Sequence, residues 1–274
     1  MGVSKAALAW HGSTLVRRVA GIVARCVTGP VVIVRSKGQA LPRLPSVFDV
    51  LDDREEGRGP LGGLSVGLEA LSGRCEAAYV SSTDVPFLHP AFVRRVLEGL
   101  DDTSDACVPC VRGFLQPLAA AYRVGLAPLA TQLLEDRQLR VSQLSQACKT
   151  RFLDEKELLA ENVLRGADPL LESVTNLNDP IDYKRALARA EPLVEVRSFT
   201  EQLSALALGL EPEELERPPV SVHAATLGGA ARASGTHLDS AREPAINGRA
   251  VPPDPEEPLV YGDVVCLAFD KATP

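Results

Sequence analysis

The 274-residue sequence predicts an α/β fold with a smaller β-rich domain behind it, and three observations point there. The length exceeds the usual size of one compact domain. The composition, 45% hydrophobic and 24% charged, is that of an ordinary globular chain and argues against disorder, a collagenous repeat or a coiled coil. The texture changes near residue 190. Up to Arg189, short β-branched runs alternate with longer stretches of helical period; beyond it, short strands are separated by Pro, Gly and Glu clusters. The expected domains are therefore 1–190 and 191–274.

Within the first domain, Leu15, Val16, Val19, Ile22, Val23 and Cys26 recur at helical spacing. Val31 to Val34 then reads as a buried strand after a Gly-Pro stop, and Asp49 to Glu56 as an acidic loop. Leu61 to Leu71 predicts a helix, Ala77 to Ser81 a strand, and Pro90 to Leu100 a helix opened by proline. Ala106 to Val111 and Leu115 to Tyr122 read as strands, Leu126 to Glu135 and Val141 to Lys149 as short helices. Ile181 to Ala190 closes the domain as a helix. Strands joined by crossover helices imply a parallel sheet. In the tail, Val194 to Phe199, Ala245 to Val251 and Tyr261 to Phe269 carry the strand signals, and Asn247-Gly248 is a hairpin turn.

The net charge of −7 lacks the basic excess of a nucleic-acid binder, so an anionic ligand must be met by a local pocket. No apolar run approaches the roughly 18 residues that span a bilayer, and the start has no signal-peptide pattern. The expected location is cytoplasmic, with neither nucleic acid nor membrane as partner. Six scattered cysteines do not suggest a disulfide framework. Cys107 and Cys110 form a C-x-x-C inside a strand, where residues three apart face opposite ways, so core cysteines are expected rather than a metal or redox pair.

Four places carry chemistry. Asp84 directly follows a buried strand, where α/β sheets collect ligands, so its carboxylate is placed either to hold Mg²⁺ against phosphates or to cap the next turn. Gly59-Pro60-Leu61-Gly-Gly-Leu64 opens a helix whose N-terminus attracts negative charge, or is simply a tight turn. Lys5 is a phosphate partner or a solvated terminal charge. Asn176 and Asn178 share one face of an extended segment and could grip a polar heterocycle, or Asn178 merely caps the following helix.

Met1-Gly2-x-x-Lys5, Gly59 to Leu64, Asp84-x-Pro-Phe-Leu88, Gln116-Pro-Leu-x-x-x-Tyr-Arg123 and Asn176-x-Asn-x-Pro-x-Asp182 occur in that order. Over about residues 1 to 190 the chain thereby resembles the molybdenum-cofactor guanylyltransferases. The resemblance implies a Rossmann-like, three-layer nucleotidyltransferase fold and transfer of GMP from GTP to Mo-molybdopterin with release of pyrophosphate. It implies that Lys5 and Asp84 are catalytic, that Asp84 binds Mg²⁺, and that Lys5, Asp84, Gly59, Pro60, Leu61 and Asp53 or Asp52 line the nucleotide. Asn176 and Asn178 then hold the pterin, and a molybdoenzyme or its chaperone is a possible recipient.

Related cytidylyltransferases share the lysine and aspartate but usually lack the G-P-L-x-G-L and Q-P-L pair, so guanine is expected over cytosine. In the family a first strand and a glycine-rich phosphate loop precede M-G-x-x-K. Their absence implies either a start codon upstream of Met1 or a non-catalytic pterin-binding protein, and the first is expected. The chain as printed is expected to fold weakly, since losing an interior strand leaves two unpaired ladders. The tail from about Val194 resembles a ubiquitin-like β-grasp sulfur carrier, by V-x-V-R-x-F, Ala225 to Ala230, I-N-G-x-x-V and Y-G-D-V-V-x-L. Such carriers end in Gly-Gly, whereas this sequence ends Phe269 to Pro274, so the tail is expected either to dock or stabilise or to be an inert fusion, rather than to transfer sulfur.

Overall fold

The computed structural model describes residues 4–54, 57–199, 218–238 and 242–268. The chain forms two compact units, Met1–Leu8 with Leu15–Pro180, and Ala9–Thr14 with Ile181–Pro274. The six residues taken into the second unit form a hairpin of β1 (Ala9–Trp10) and β2 (Ser13–Thr14). Its turn has φ of 42° at His11 and 87° at Gly12, the doubly positive pair that matches strand twist.

In the first unit, α1 (Leu15–Ala24) buries Leu15, Val16, Val19 and Ile22, the stripe its spacing predicts. β3 (Val31–Arg35) pairs in parallel with β4 (Phe48–Asp52). The expected acidic loop is thus in part a strand. Its acids are compatible with pairing because each meets an arginine, Asp49 with Arg74 at 2.8 Å and Asp52 with its cross-strand neighbour Arg35 at 2.7 Å. α2 (Gly59–Leu71) begins two residues earlier than expected, with Pro60 in its first turn, where a missing N–H costs nothing. β5 (Ala77–Ser81) and α3 (Pro90–Glu98) follow; the His89 ring Nδ1 caps α3 by accepting from the Ala91 N–H at 3.1 Å.

β6 (Ala106–Val111) has the predicted bounds, and β7 (Phe114–Leu115) and β8 (Ala119–Arg123) replace the second strand expected in this stretch. Pro117, which has no N–H to give a ladder, interrupts the predicted Leu115–Tyr122 strand. The chain then runs through α4 (Ala127–Glu135), α5 (Val141–Ala147), β9 (Thr150–Leu153), α6 (Glu155–Leu159) and α7 (Asn162–Ala167). The sheet order is β5-β8-β6-β7, with β9 parallel to β6. β8 is antiparallel to both β5 and β6, which corrects the expected all-parallel winding. The turn through Arg112 and Gly113, with φ of 53° and 77°, reverses the chain there without a crossover helix.

Leu61, Leu68, Tyr122 and Leu144 form the core between α2 and this sheet, and the Tyr122 hydroxyl donates to the Pro117 carbonyl at 2.8 Å. Cys107 is buried on the opposite face of β6, beside Gly99 at the end of α3; desolvation pushes its thiol up to about 11, so it packs as an apolar group. Among the described residues, β3 pairs only with β4 and β5 only with β8.

The second unit opens with α8 (Pro180–Leu187), most of which groups with the tail. β10 (Leu193–Phe199), β11 (Val220–His223), α9 (Leu227–Ala233), β12 (Ala245–Ile246), β13 (Arg249–Ala250) and β14 (Val264–Ala268) follow. The strands stand in the order β11-β10-β14-β12-β13, with β10 and β14 parallel at the centre. Asn247 and Gly248, with φ of 52° and 78°, make the predicted β12–β13 turn. Phe269 and the rest of the tail lie outside the described residues.

Thr226 caps α9 by accepting from the Gly229 N–H, and Gly228 packs where a Cβ would lie 2.8 Å from that of Pro255. Gly228→Ala is therefore expected to destabilise this unit by about 1–3 kcal/mol through overpacking. Urea unfolding checks this, and an unchanged midpoint would show that the Pro255 loop yields freely.

Candidate functional site

Asp84 leaves β5 three residues beyond its last paired residue and is clamped on both sides by backbone contacts. The Leu177 N–H donates to the Asp84 carbonyl at 2.9 Å, and the buried Arg18 guanidinium donates to the Pro86 carbonyl at 2.6 Å. The Asp84 carboxylate accepts no backbone N–H among the described residues; its Oδ2 meets the Lys5 ammonium at 2.9 Å. Lys5 also donates to the Leu177 carbonyl at 2.8 Å. One cation thus joins three segments separated by 79 and 172 residues in sequence. The Lys5 side chain stays 36% exposed and that of Asp84 17%, so the pair is reachable from solvent.

Asn176 and Asn178 are exposed on either side of the buried Leu177, so both amides present to the same face. Neither makes a hydrogen bond among the described residues, and their donors and acceptors remain available. A shelf behind them holds the segment in place. Asp168, 6% exposed, accepts from the Glu172 N–H at 2.7 Å and from the Ser173 N–H and hydroxyl at 2.9 and 2.6 Å. The Ser173 hydroxyl in turn accepts from the His89 N–H at 3.1 Å, which ties the shelf to the start of α3. Neither Arg18 nor Asp168 was singled out from sequence. An arginine inside an otherwise apolar helical stripe is the one signal that could have flagged Arg18.

The glycine-rich turn leads into α2. Gly59 has φ of 61° and packs close enough that a Cβ would meet the Leu139 carbonyl at 3.1 Å, so a side chain is disfavoured twice over. Gly59 and Pro60 are exposed, whereas Leu61 is fully buried in the core, so Leu61 could serve a ligand only through its backbone. Asp53 and Asp52 separate clearly. Asp52 is committed to Arg35, while both Asp53 oxygens lie over the first turn of α2, 3.3 Å from a Cβ built on Gly62. Among the described residues, no group of three or more His, Cys, Asp or Glu side chains could enclose a metal ion.

A mixed α/β unit that gathers a lysine, a carboxylate and a helix N-terminus near its strand ends is the arrangement of a nucleotidyltransferase-type domain. Residues 1–149 match the family described as MobA-like NTP transferase domain, and the chain belongs to it. A probable molybdenum cofactor guanylyltransferase of Bacillus cytotoxicus is 26% identical over 156 residues, which covers 56% of this chain and 76% of that protein. One of the same name from Bacillus anthracis is 26% identical over 189 residues, 68% of this chain and 88% of the relative. The crystal structure of molybdopterin-guanine dinucleotide biosynthesis protein A from Archaeoglobus fulgidus superimposes with a TM-score of 0.53 at 21% identity. It covers 68% of this chain and 89% of its own, and shows the shared fold. No helix among the described residues is long and apolar enough to cross a membrane.

Proposed function

We propose that the protein transfers GMP from GTP to Mo-molybdopterin, forming the guanine dinucleotide cofactor and pyrophosphate. The reading is carried by the Lys5 bridge, which joins the Asp84 carboxylate to the carbonyl of Leu177, the residue between Asn176 and Asn178. An oxygen of the pterin's terminal phosphate attacks the α-phosphorus of GTP. The bond from that phosphorus to the oxygen bridging to the β-phosphate breaks, and that oxygen leaves with pyrophosphate. Such chemistry needs charge placement more than an acid–base pair.

Lys5 is suited to the phosphates, and the Asp53 carboxylate and the amides of the α2 first turn to the nucleotide. Asn176 and Asn178 are suited to the pterin, whose edge offers both donors and acceptors. A single hard carboxylate, with Oδ1 uncommitted, fits Mg²⁺, which usually takes one or two protein carboxylates and fills its remaining positions with phosphate and water. Asp84 would hold it, and the ion would supply positive charge to the triphosphate.

The strand order of the second unit, with its parallel central pair and the helix α9 packed against the sheet, supports a β-grasp reading. Its part in the proposed reaction is docking or stabilisation. Turnover with Mg²⁺, the pterin and either nucleotide tests the base assignment: pyrophosphate release with GTP is expected, and release with CTP alone would make the protein a cytidylyltransferase. Asn178→Ala should weaken pterin binding by about 10-fold, one lost hydrogen bond to a polar ligand, and leave Mg²⁺–GTP affinity unchanged. Calorimetric titration of each ligand separates the two, and equal weakening of both would contradict the split assignment.

A further inference from the structure

Three contacts lace residues 5–11 to residues 177–191. The Lys5 ammonium donates to the Leu177 carbonyl at 2.8 Å, the Tyr183 hydroxyl donates to the Ala9 carbonyl at 2.6 Å, and the His11 ring Nδ1 lies 3.5 Å from a Glu191 carboxylate oxygen. Both stretches advance in the same chain direction from one contact to the next. Each contact lies inside one unit: the first in the unit that holds Asp84, the other two in the unit of Ala9–Thr14 and Ile181–Pro274. The chain passes between the units directly after Leu8 and directly after Pro180, a few residues beyond Lys5 on one stretch and beyond Leu177 on the other.

The outer contacts are anchored in the second unit. Glu191 Oε2 accepts from the Ala225 N–H at 2.7 Å, and the Glu191 carbonyl meets the His223 ring Nδ1 at 2.7 Å, at the end of β11. At the tip of the β1–β2 hairpin, a Cβ on Gly12 would lie 3.5 Å from the Thr226 hydroxyl oxygen that caps α9. Trp10, the chain's one tryptophan, is buried. The stretches between contacts have little slack: a 3₁₀ turn over Lys5–Ala7 is closed by the Leu8 N–H on the Lys5 carbonyl at 3.1 Å, and α8 starts at Pro180.

We propose that Tyr183 is a positioning residue for Lys5: by holding the Ala9 carbonyl, it keeps the stretch that carries Lys5 in register with the stretch that carries Leu177. An ammonium on a flexible four-carbon stem, with more than a third of its side chain exposed, is not held by its own packing. Its place is set by where the backbone delivers it, and a small displacement there moves the charge away from the Asp84 carboxylate. The second unit thereby governs how long Lys5 stays on Asp84 and the Leu177 carbonyl. The consequence for nucleotide binding rests on the proposed role of Lys5 at the phosphates; the effect on Lys5 itself needs no substrate.

The test is Tyr183→Phe in the full chain, which removes the hydroxyl and keeps the ring, beside Glu191→Gln and, as the measure of a released ammonium, Asp84→Asn. Acetic anhydride labelling of Lys5 is followed against exposed Lys37, and acrylamide quenching of Trp10 reports whether the hairpin stays folded. Tyr183→Phe is expected to speed Lys5 labelling about 5-fold, the net worth of one hydrogen bond, with Lys37 and Trp10 unchanged. Glu191→Gln, one contact further out, should have a smaller effect in the same direction. Unchanged Lys5 labelling, or the reverse order of the two variants, would overturn the proposal. So would faster labelling accompanied by quenching of Trp10, since the hairpin would then simply have unfolded.

A second arm separates positioning from a general structural role. By calorimetry, Tyr183→Phe should weaken Mg²⁺–GTP binding about 5-fold and have no effect in a Lys5→Met background, because the contact acts only through Lys5. An equal loss in both backgrounds would overturn the positioning role. Should the unaltered chain not bind Mg²⁺–GTP, the nucleotide reading fails, and the labelling result decides the proposal by itself.

Discussion

Replacing Asp84 with asparagine is expected to lower the turnover of guanylyl transfer by on the order of 100-fold or more, with the thermal transition of the protein left in place. Asparagine keeps the shape and one oxygen but removes the charge that offsets Lys5 and would hold Mg²⁺. The fold should not notice. The residue sits at the ligand end of β5, and the clamps on its segment run through backbone groups, from Leu177 to Asp84 and from Arg18 to Pro86. Initial rates at saturating substrates, with Mg²⁺–GTP affinity by calorimetry, check this. Normal turnover and normal Mg²⁺–GTP binding would show that the carboxylate serves only to anchor Lys5.

Asp168→Ala is expected to cost about 3 kcal/mol of stability and to weaken pterin binding as well. The change leaves the Glu172 and Ser173 N–H groups and the Ser173 hydroxyl without the carboxylate they now share, in a place water scarcely reaches. The shelf that presents Asn176 and Asn178 would loosen with it. In urea the midpoint should fall while the slope holds, because the same surface is exposed on unfolding. A change smaller than about 0.5 kcal/mol would mean that the loop re-satisfies these groups by a small shift.

Where local sequence decides the outcome, the fold was readable. Ala77–Ser81 and Ala106–Val111 have the bounds their composition predicts, and Asn247-Gly248 makes the turn that its two residue types permit. Where long-range pairing decides, it was not. Phe48–Asp52 reads as an acidic loop because its two aspartates find arginines only once Arg35 and Arg74 are in place. Thr150–Leu153 is too short and polar to announce itself, and is a strand because β6 offers it an edge. The reversed direction of β8 follows from a turn at Arg112, an ordinary-looking residue in a left-handed conformation.

The cluster was legible in its parts and not in its joinery. Lys5, Asp84 and the two asparagines could each be singled out from position and residue type. That Leu177 supplies a carbonyl to Lys5 and an N–H to the Asp84 backbone could not, because backbone groups leave no trace in a sequence. The same holds for Asp168, whose partners are mostly main chain.

Following the label from GTP carrying ³²P at either the α or the γ position tests the central claim most directly. With Mg²⁺ and Mo-molybdopterin present, α-label is expected in the pterin dinucleotide and γ-label only in pyrophosphate. Transfer of γ-label to the pterin, or the absence of any labelled pterin from folded protein that binds both substrates, would contradict it.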